Sequence, residues 1–205
     1  MALFQWHLES PLAERDHSSG GFELCLADYN PTVLQLVTLP NLILSWAYKR
    51  SGELWDLEGE LDINQALVQD FLADLKSWGI TVSFLSGAWS PNFVQLVEET
   101  MGQSSNHFTI IGAETIYSPF ALKSFAETLV ALLEIIPATK KIAYVAAKKV
   151  YFGVGGSMED FCQGVRTNGM DVEQIREESD GVRRAVVQVA KHLGSGMSLQ
   201  GSSIL

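Results

Sequence analysis

With 205 residues and 47% hydrophobic content, the chain has enough apolar side chains for a sizeable core and falls outside the disordered class. Its 24 Asp and Glu against 14 Lys and Arg leave a net charge of −10, which disfavours nucleic acid and anionic membrane and favours a basic partner or a cationic ligand. Two distant cysteines, Cys25 and Cys162, and four histidines without ligand spacing point to a reducing compartment with buried free thiols and no metal site.

No apolar run reaches the ~20 residues that a membrane span requires. The longest candidate, "VLQLVTLPNLILSWAY", is interrupted by Pro40 and reads as two short buried helices. The opening "MALFQWHLESP" lacks the basic start and cleavage site of a signal peptide. Residues 15–21, "RDHSSGG", read as a polar turn.

"FELCLADYN" follows as a short buried strand ending in a polar turn. "PTVLQLVTLPNLILSWAYKR" has helical spacing, with Pro31 suited to a first turn. "INQALVQDFLADLKSWG" places Ala66, Leu67, Phe71, Leu72 and Leu75 on one helical face, and Gly79 terminates it. "ITVSFLSG" is a second strand, and "SPNFVQLVEETMG" a helix with Ser90 as N-cap before Pro91. "HFTIIGAETIYS" is a third strand, "SPFALKSFAETLVALLEII" a long amphipathic helix and "KKIAYVAAKK" a fourth strand. "SMEDFCQGVRTNG" is a helix closed by Gly169. "MDVEQIREES" and "VRRAVVQVAK" are strands joined through a "DG" turn. The small, polar residues 191–205 form a flexible tail. The alternation predicts a single α/β domain over residues 1–190, a doubly wound, mostly parallel sheet whose last strand inserts antiparallel.

Several residues stand where chemistry happens in such folds. Asp28 ends a strand at the carboxyl edge of the sheet, where ligands bind; an Asp there also serves simply to cap the next helix. Trp89 ends the next strand and reads either as a stacking partner for a base or as core. Glu114 follows the apolar "FTIIGA", where a carboxylate is costly unless paired or solvated, so it faces a cleft or an ion-pair partner. Tyr117 lines a pocket or the core. "YFGVGG" lets the backbone bend tightly, or is a helix-entry turn with two packed aromatics, Tyr151 and Phe152.

Four words, in order, are similar to motifs of the lysine- and histidine-directed methyltransferase-like family. "LADYNPTVLQLVTLPN" resembles the tip of that family's second strand, D-(Y/F)-N followed by T-x-P-N. "FLSGAWS" resembles its third-strand S-G-(D/E)-W, and "FTIIGAETIYS" its fourth-strand (S/T)-E-T-I-Y. "YVAAKKVYFGVGGSMEDF" resembles its fifth strand with an aromatic-Phe-Gly-Val-Gly-Gly loop. The resemblance runs from about residue 22 to about residue 190 and points to the protein-histidine branch. It implies a class I methyltransferase-like fold, S-adenosyl-L-methionine (SAM) as methyl donor, and as acceptor a histidine of a basic target protein, notably a ribosomal one, in the cytoplasm or nucleus. SAM has no phosphate, so "YFGVGG", placed after the family's fifth strand, is not a phosphate cradle.

On this resemblance Ala27, Asp28, Tyr29, Gly87, Ala88, Trp89 and Ala113 surround the donor, Asp28 taking the ribose hydroxyls and Trp89 the adenine. Glu114 and Tyr117 are the catalytic pair, with Glu114 orienting the imidazole. Tyr151, Phe152, Gly153, Gly155 and Gly156 form the acceptor side. Asp28, Trp89 and Glu114 are therefore expected to converge on one methyl donor.

The sequence also departs from the family. The first strand and its E-L-G-C-G type loop are missing, which reads as truncation and predicts a gap or abnormal pairing in the sheet and a marginal, aggregation-prone chain. Ala88 replaces the third-strand acid and removes an acceptor for the adenine amino group; Phe108 replaces an aspartate opening the fourth strand. Two alternatives stay open. One is a non-catalytic interaction module, separable by calorimetry with S-adenosylhomocysteine. The other is a lysine or small-molecule methyltransferase of the same fold, separable by mass spectrometry of the product.

Overall fold

The computed structural model describes residues 21–51, 60–101 and 105–191. They divide into two compact units, one ending at Ala88 and the other starting at Trp89. Apart from Gly21 and Lys191, the predicted turn at 15–21 and tail at 191–205 lie outside the described residues. Lys191 is the last residue of a strand.

In the first unit β1 (Phe22–Asp28) and β2 (Ile80–Ser86) pair in parallel, in register from Phe22 against Ile80 to Asp28 against Ser86. Both strands therefore end at the same level. A parallel pair needs a crossover. Here it runs through α1 (Pro31–Val33), a π-helical turn (Leu34–Thr38), α2 (Leu39–Ser51) and α3 (Gln65–Ser77). Asn30 caps the start, accepting from the Thr32 N–H at 2.9 Å, with Pro31 in the first turn.

The expected break at Pro40 does not occur: the backbone stays helical from residue 31 to 51. The turn ahead of Pro40 widens instead, and the Leu39 N–H reaches back to the Leu34 carbonyl. A proline ring inside an α-helix collides with the carbonyl four residues earlier, and a π turn relieves that collision. Leu42, Ile43, Trp46 and Ala47 then bury against Phe71, Leu75 and Ile80. The α3 stripe is corrected accordingly: Phe71 and Leu75 are buried and Leu67 and Val68 half-buried, while Ala66 and Leu72 are exposed. Trp46 anchors this core by donating its indole N–H to Asp74 at 3.0 Å. Gly79 closes α3 in the left-handed region, φ 65°.

In the second unit β3 (Ser105–Ala113), β4 (Ala138–Lys148), β5 (Met170–Glu178) and β6 (Arg184–Lys191) form a sheet of order β3-β4-β6-β5. β3 and β4 are parallel; β6 lies antiparallel between β4 and β5, as the terminal hairpin predicted. The third strand stops at Ala113, so "ETIYS" lies beyond it. The architecture is mixed α/β, and the described strands form two sheets, one in each unit.

Alternation builds the second core. Ala143, Val145 and Ala147 of β4 and Ala185, Val187 and Val189 of β6 are buried, with Phe125, Leu129 and Leu133 of α5 (Pro119–Ile135) and Phe161 and Val165 of α6 (Met158–Thr167). Burying each larger side chain contributes about 1.5–3 kcal/mol. Serine caps start the helices, as the sequence implied for Ser90. Ser90 accepts from Phe93 ahead of α4 (Pro91–Met101), Ser118 from Ala121 and Ser157 from Asp160. Phe108, where the resemblance expects an aspartate, is buried. Cys162 is buried and Cys25 half-buried, both as free thiols, and burial, helped by Glu23, pushes the Cys25 thiol up to about 11.

The β5–β6 hairpin is clasped at Glu177, which accepts from the Arg183 guanidinium, from Lys149 Nζ at 3.0 Å and from Gln174 Nε2 at 3.0 Å. The Arg183 hydrogen bond first, then those of Lys149 and Gln174, lower its carboxyl from an ordinary 4.5 to about 2. A depressed carboxylate stabilises the fold above its unfolded pKa and loses that contribution as pH falls through the folded value. Glu177→Gln is therefore expected to lower the urea midpoint near neutrality. The wild-type and variant midpoints should converge between about pH 4.5 and about pH 2. A gap of constant size down to about pH 2 contradicts the clasp.

Candidate functional site

The carboxyl ends of β3 and β4 lie side by side, Ala113 opposite Ala146. One residue further, the Glu114 N–H still bonds to the Ala146 carbonyl at 2.9 Å. Glu114 turns there into the left-handed region, φ 56°, and among the described residues no other non-glycine has a positive φ. Such a conformation costs about 1–3 kcal/mol and persists only where the surroundings impose it.

The surroundings are specific. Tyr151 donates its hydroxyl to Glu114 Oε2 at 2.7 Å, and Arg184 Nε lies 3.7 Å from Oε1. The Tyr151 oxygen in turn accepts the Lys148 N–H at 3.3 Å. The tyrosine is 7% exposed, and the Lys148 ammonium sits over its ring at 5.5 Å. Burial, then the Glu114 hydrogen bond, pushes the phenol up to about 12, so it is a proton donor throughout the neutral range. The Glu114 side chain itself remains 48% exposed, in reach of a ligand. It borders a cleft of about 310 Å³ that is also lined by Ala113, Ala146, Ala147, Arg184 and Ala185. Arg176, Glu178 and Val186 complete its lining.

The loop carrying Tyr151 is a tight bend. Val150 bridges Ser157, the Tyr151 N–H meets the Gly156 carbonyl at 2.9 Å, and the Gly155 N–H returns to the Tyr151 carbonyl at 3.1 Å. Gly153 and Gly155 hold φ 82° and 81°. Gly156 is required by contact: a Cβ there would lie 2.2 Å from the Ile116 carbonyl oxygen and 2.7 Å from the Tyr117 carbonyl carbon. The loop therefore rests on the segment after Glu114. Of the two aromatics, Tyr151 is packed and bonded, whereas Phe152 stands 92% exposed. Tyr117 is exposed too.

In the first unit Asp28 meets Gly87, whose N–H donates to the Asp28 carbonyl at 3.3 Å; Ala27 and Tyr29 flank Asp28 in the chain, and Ala88 follows Gly87. Asp28 Oδ1 accepts the Asn30 N–H at 2.8 Å, and the helix cap itself is Asn30. Oδ2 is engaged by no described residue, which suits a carboxylate that receives a hydroxyl from a ligand. Tyr29 is exposed. Trp89 belongs to the second unit, where its indole packs edge-on against Phe93 and Phe125, centroids 5.0 and 5.5 Å apart.

The structure thus assembles two groups, each within its own unit: Asp28 with Gly87 and Ala88, and Glu114 with Ala113, Tyr151 and the glycine loop. Sequence reasoning did not single out Arg184 or Lys148. They face each other across the β4–β6 ladder, and only the register of an antiparallel insertion places them beside Glu114. Among the described residues there is no cluster of three or more His, Cys, Asp and Glu fit for a metal, and no helix is long and apolar enough to cross a membrane.

No family model matches the chain. Histidine protein methyltransferase 1 of Saccharomyces cerevisiae is 36% identical over 160 residues, covering 72% of this chain and 42% of that protein. The Schizosaccharomyces pombe protein of the same name is 34% identical over 169 residues, 80% of this chain and 48% of that protein. Histidine protein methyltransferase 1 homolog of Bos taurus is 27% identical over 173 residues, 83% of this chain and 43% of that protein. The chain spans a little under half the length of these relatives. A solved structure titled "A Pericyclic Reaction enzyme" aligns at a TM-score of 0.39 and 11% identity over 92% of this chain and 47% of that one, too distant to carry an argument.

The crowding at Gly156 yields a direct expectation. Gly156→Ala should destabilise the second unit by about 1–3 kcal/mol, the usual range for forced overpacking. Urea denaturation followed by tryptophan fluorescence measures it, and an unchanged midpoint refutes the contact.

Proposed function

Because the chain belongs to the protein-histidine branch of the methyltransferase-like family, we propose that it carries the acceptor-side chemistry of methyl transfer from SAM to an imidazole nitrogen of a target protein. The observation that carries this reading is Glu114, a half-exposed carboxylate at the strand ends, gripped from behind by Tyr151 and Arg184 and bordering an open cleft.

The chemistry asks little of the protein beyond alignment. When bound, SAM supplies an electrophilic methyl group on a sulfonium. A neutral imidazole nitrogen is nucleophilic near pH 7, provided that its lone pair points along the line of attack. Transfer would join the methyl carbon to one ring nitrogen as its bond to sulfur broke, and the second ring nitrogen would then give up its proton. Glu114 is placed to accept that second N–H, which fixes the tautomer and ring direction and balances the positive charge that develops. Held geometry of this kind can supply up to ~7–11 kcal/mol. On the donor side, Asp28 is suited to a ribose diol through Oδ2. The net charge of −10 suits docking of a basic protein, a ribosomal one among them, in the cytoplasm or nucleus.

The test uses radiolabelled SAM with the chain and a cell extract rich in basic proteins, followed by mass spectrometry of the labelled peptide. The expected product is methylhistidine, and Glu114→Gln should lower kcat about a hundredfold through misalignment. Label on lysine, on small molecules alone or on nothing at all would refute the reading.

A further inference from the structure

Three separate elements contribute to holding Glu114: β4 through Ala146, the glycine loop through Tyr151 and β6 through Arg184. A glutamate side chain has freely rotating bonds, and a half-exposed one on its own samples many orientations. Its main chain is bonded to Ala146 in a left-handed turn, φ 56°, which persists only while its surroundings impose it, so a released carboxylate is felt at that amide.

The carboxylate is fixed at both oxygens. Tyr151 takes Oε2 from a ring that is buried and set in a loop locked by glycines. Its hydroxyl already accepts the Lys148 N–H, so its own proton is turned toward Glu114. Arg184 faces Oε1 from the first residue of β6. An exposed ion pair alone is worth little, but here it closes the side that Tyr151 leaves open. Arg176 and Glu178, which line the same cleft, pair with each other at 3.6 Å and do not compete for Glu114.

We propose that Tyr151 and Arg184 are positioning residues that together hold the Glu114 carboxylate in one orientation at the mouth of the alanine-lined cleft. The catalytic use of that hold rests on the reading of Glu114 given above. The hold itself does not, and the experiment separates the two.

Amide hydrogen exchange by NMR is measured on the chain and on Tyr151→Phe, Arg184→Ala and Arg184→Lys. Loss of a hydrogen bond to a charged group should speed exchange at the Glu114 amide about tenfold in Tyr151→Phe. Arg184→Ala should show a smaller rise and Arg184→Lys almost none. The amides of Val145 and Val187 should stay at wild-type rates, which shows that the fold is intact. In the methyl-transfer assay Tyr151→Phe should lower kcat about tenfold with KM nearly unchanged, as expected for lost alignment. Exchange at Glu114 that stays at the wild-type rate in both Tyr151→Phe and Arg184→Ala overturns the hold, as does a rise shared equally by Val145 and Val187. A selective rise at Glu114 in a chain that transfers no methyl group supports the hold and refutes the methyl-transfer reading.

Discussion

The hydrogen bond between the Glu114 N–H and the Ala146 carbonyl is the constraint on which the candidate site depends. It extends the β3–β4 ladder by one residue and forces the chain to leave the sheet through the left-handed region. A residue that must turn there is normally glycine or asparagine. A glutamate occupies the position, and its conformational cost is offset by the tyrosine and arginine that meet its carboxylate. Strain, buried donor and open cleft coincide at one residue, the combination that functional sites show more often than structural ones.

The rest of the second unit can be understood as support for that residue. Antiparallel insertion of β6 brings Arg184 opposite Lys148. The glycine loop turns Tyr151 back under the sheet edge, and Gly156 lets the loop press onto the backbone of residues 116–118. Ala113 and Ala146 border the cleft beside Glu114, with Arg176, Glu178 and Arg184 around it. Beneath, two ranks of small and branched residues on β4 and β6 meet Phe125, Phe161 and Val165, which gives the edge a rigid base. The first unit repeats the theme more simply, with two parallel strands ending level and Asp28 beside Gly87.

Local signals carried much of this. The Ser90 cap, the terminal hairpin and glycine stops act within a few residues, so periodicity and turn chemistry revealed them. That Glu114 needs partners or solvent was also legible, because a carboxylate after an apolar strand is costly without them. Its partners were not. Tyr151 lies 37 residues away, and Arg184 is one of several arginines in a charged hairpin whose register only the folded sheet defines. Pro40 misled for a related reason. A proline marks a likely helix end, but an extra residue in a π turn removes the clash at small cost, and the buried faces of Leu42 and Trp46 hold the helix together. Trp89 read equally well as core and as a base-stacking surface; its indole is half-buried and packs edge-on against Phe93 and Phe125.

The central claim is that the β3–β4 edge receives a histidine-bearing segment of a basic protein. Titration of the isotopically labelled chain with a short basic peptide containing one histidine, followed by amide chemical shifts, addresses it most directly. The account predicts perturbations centred on Glu114, Ala146, Tyr151 and Phe152 that vanish when the histidine is replaced by alanine. Perturbations that avoid those four residues, or that persist without the imidazole, would contradict it.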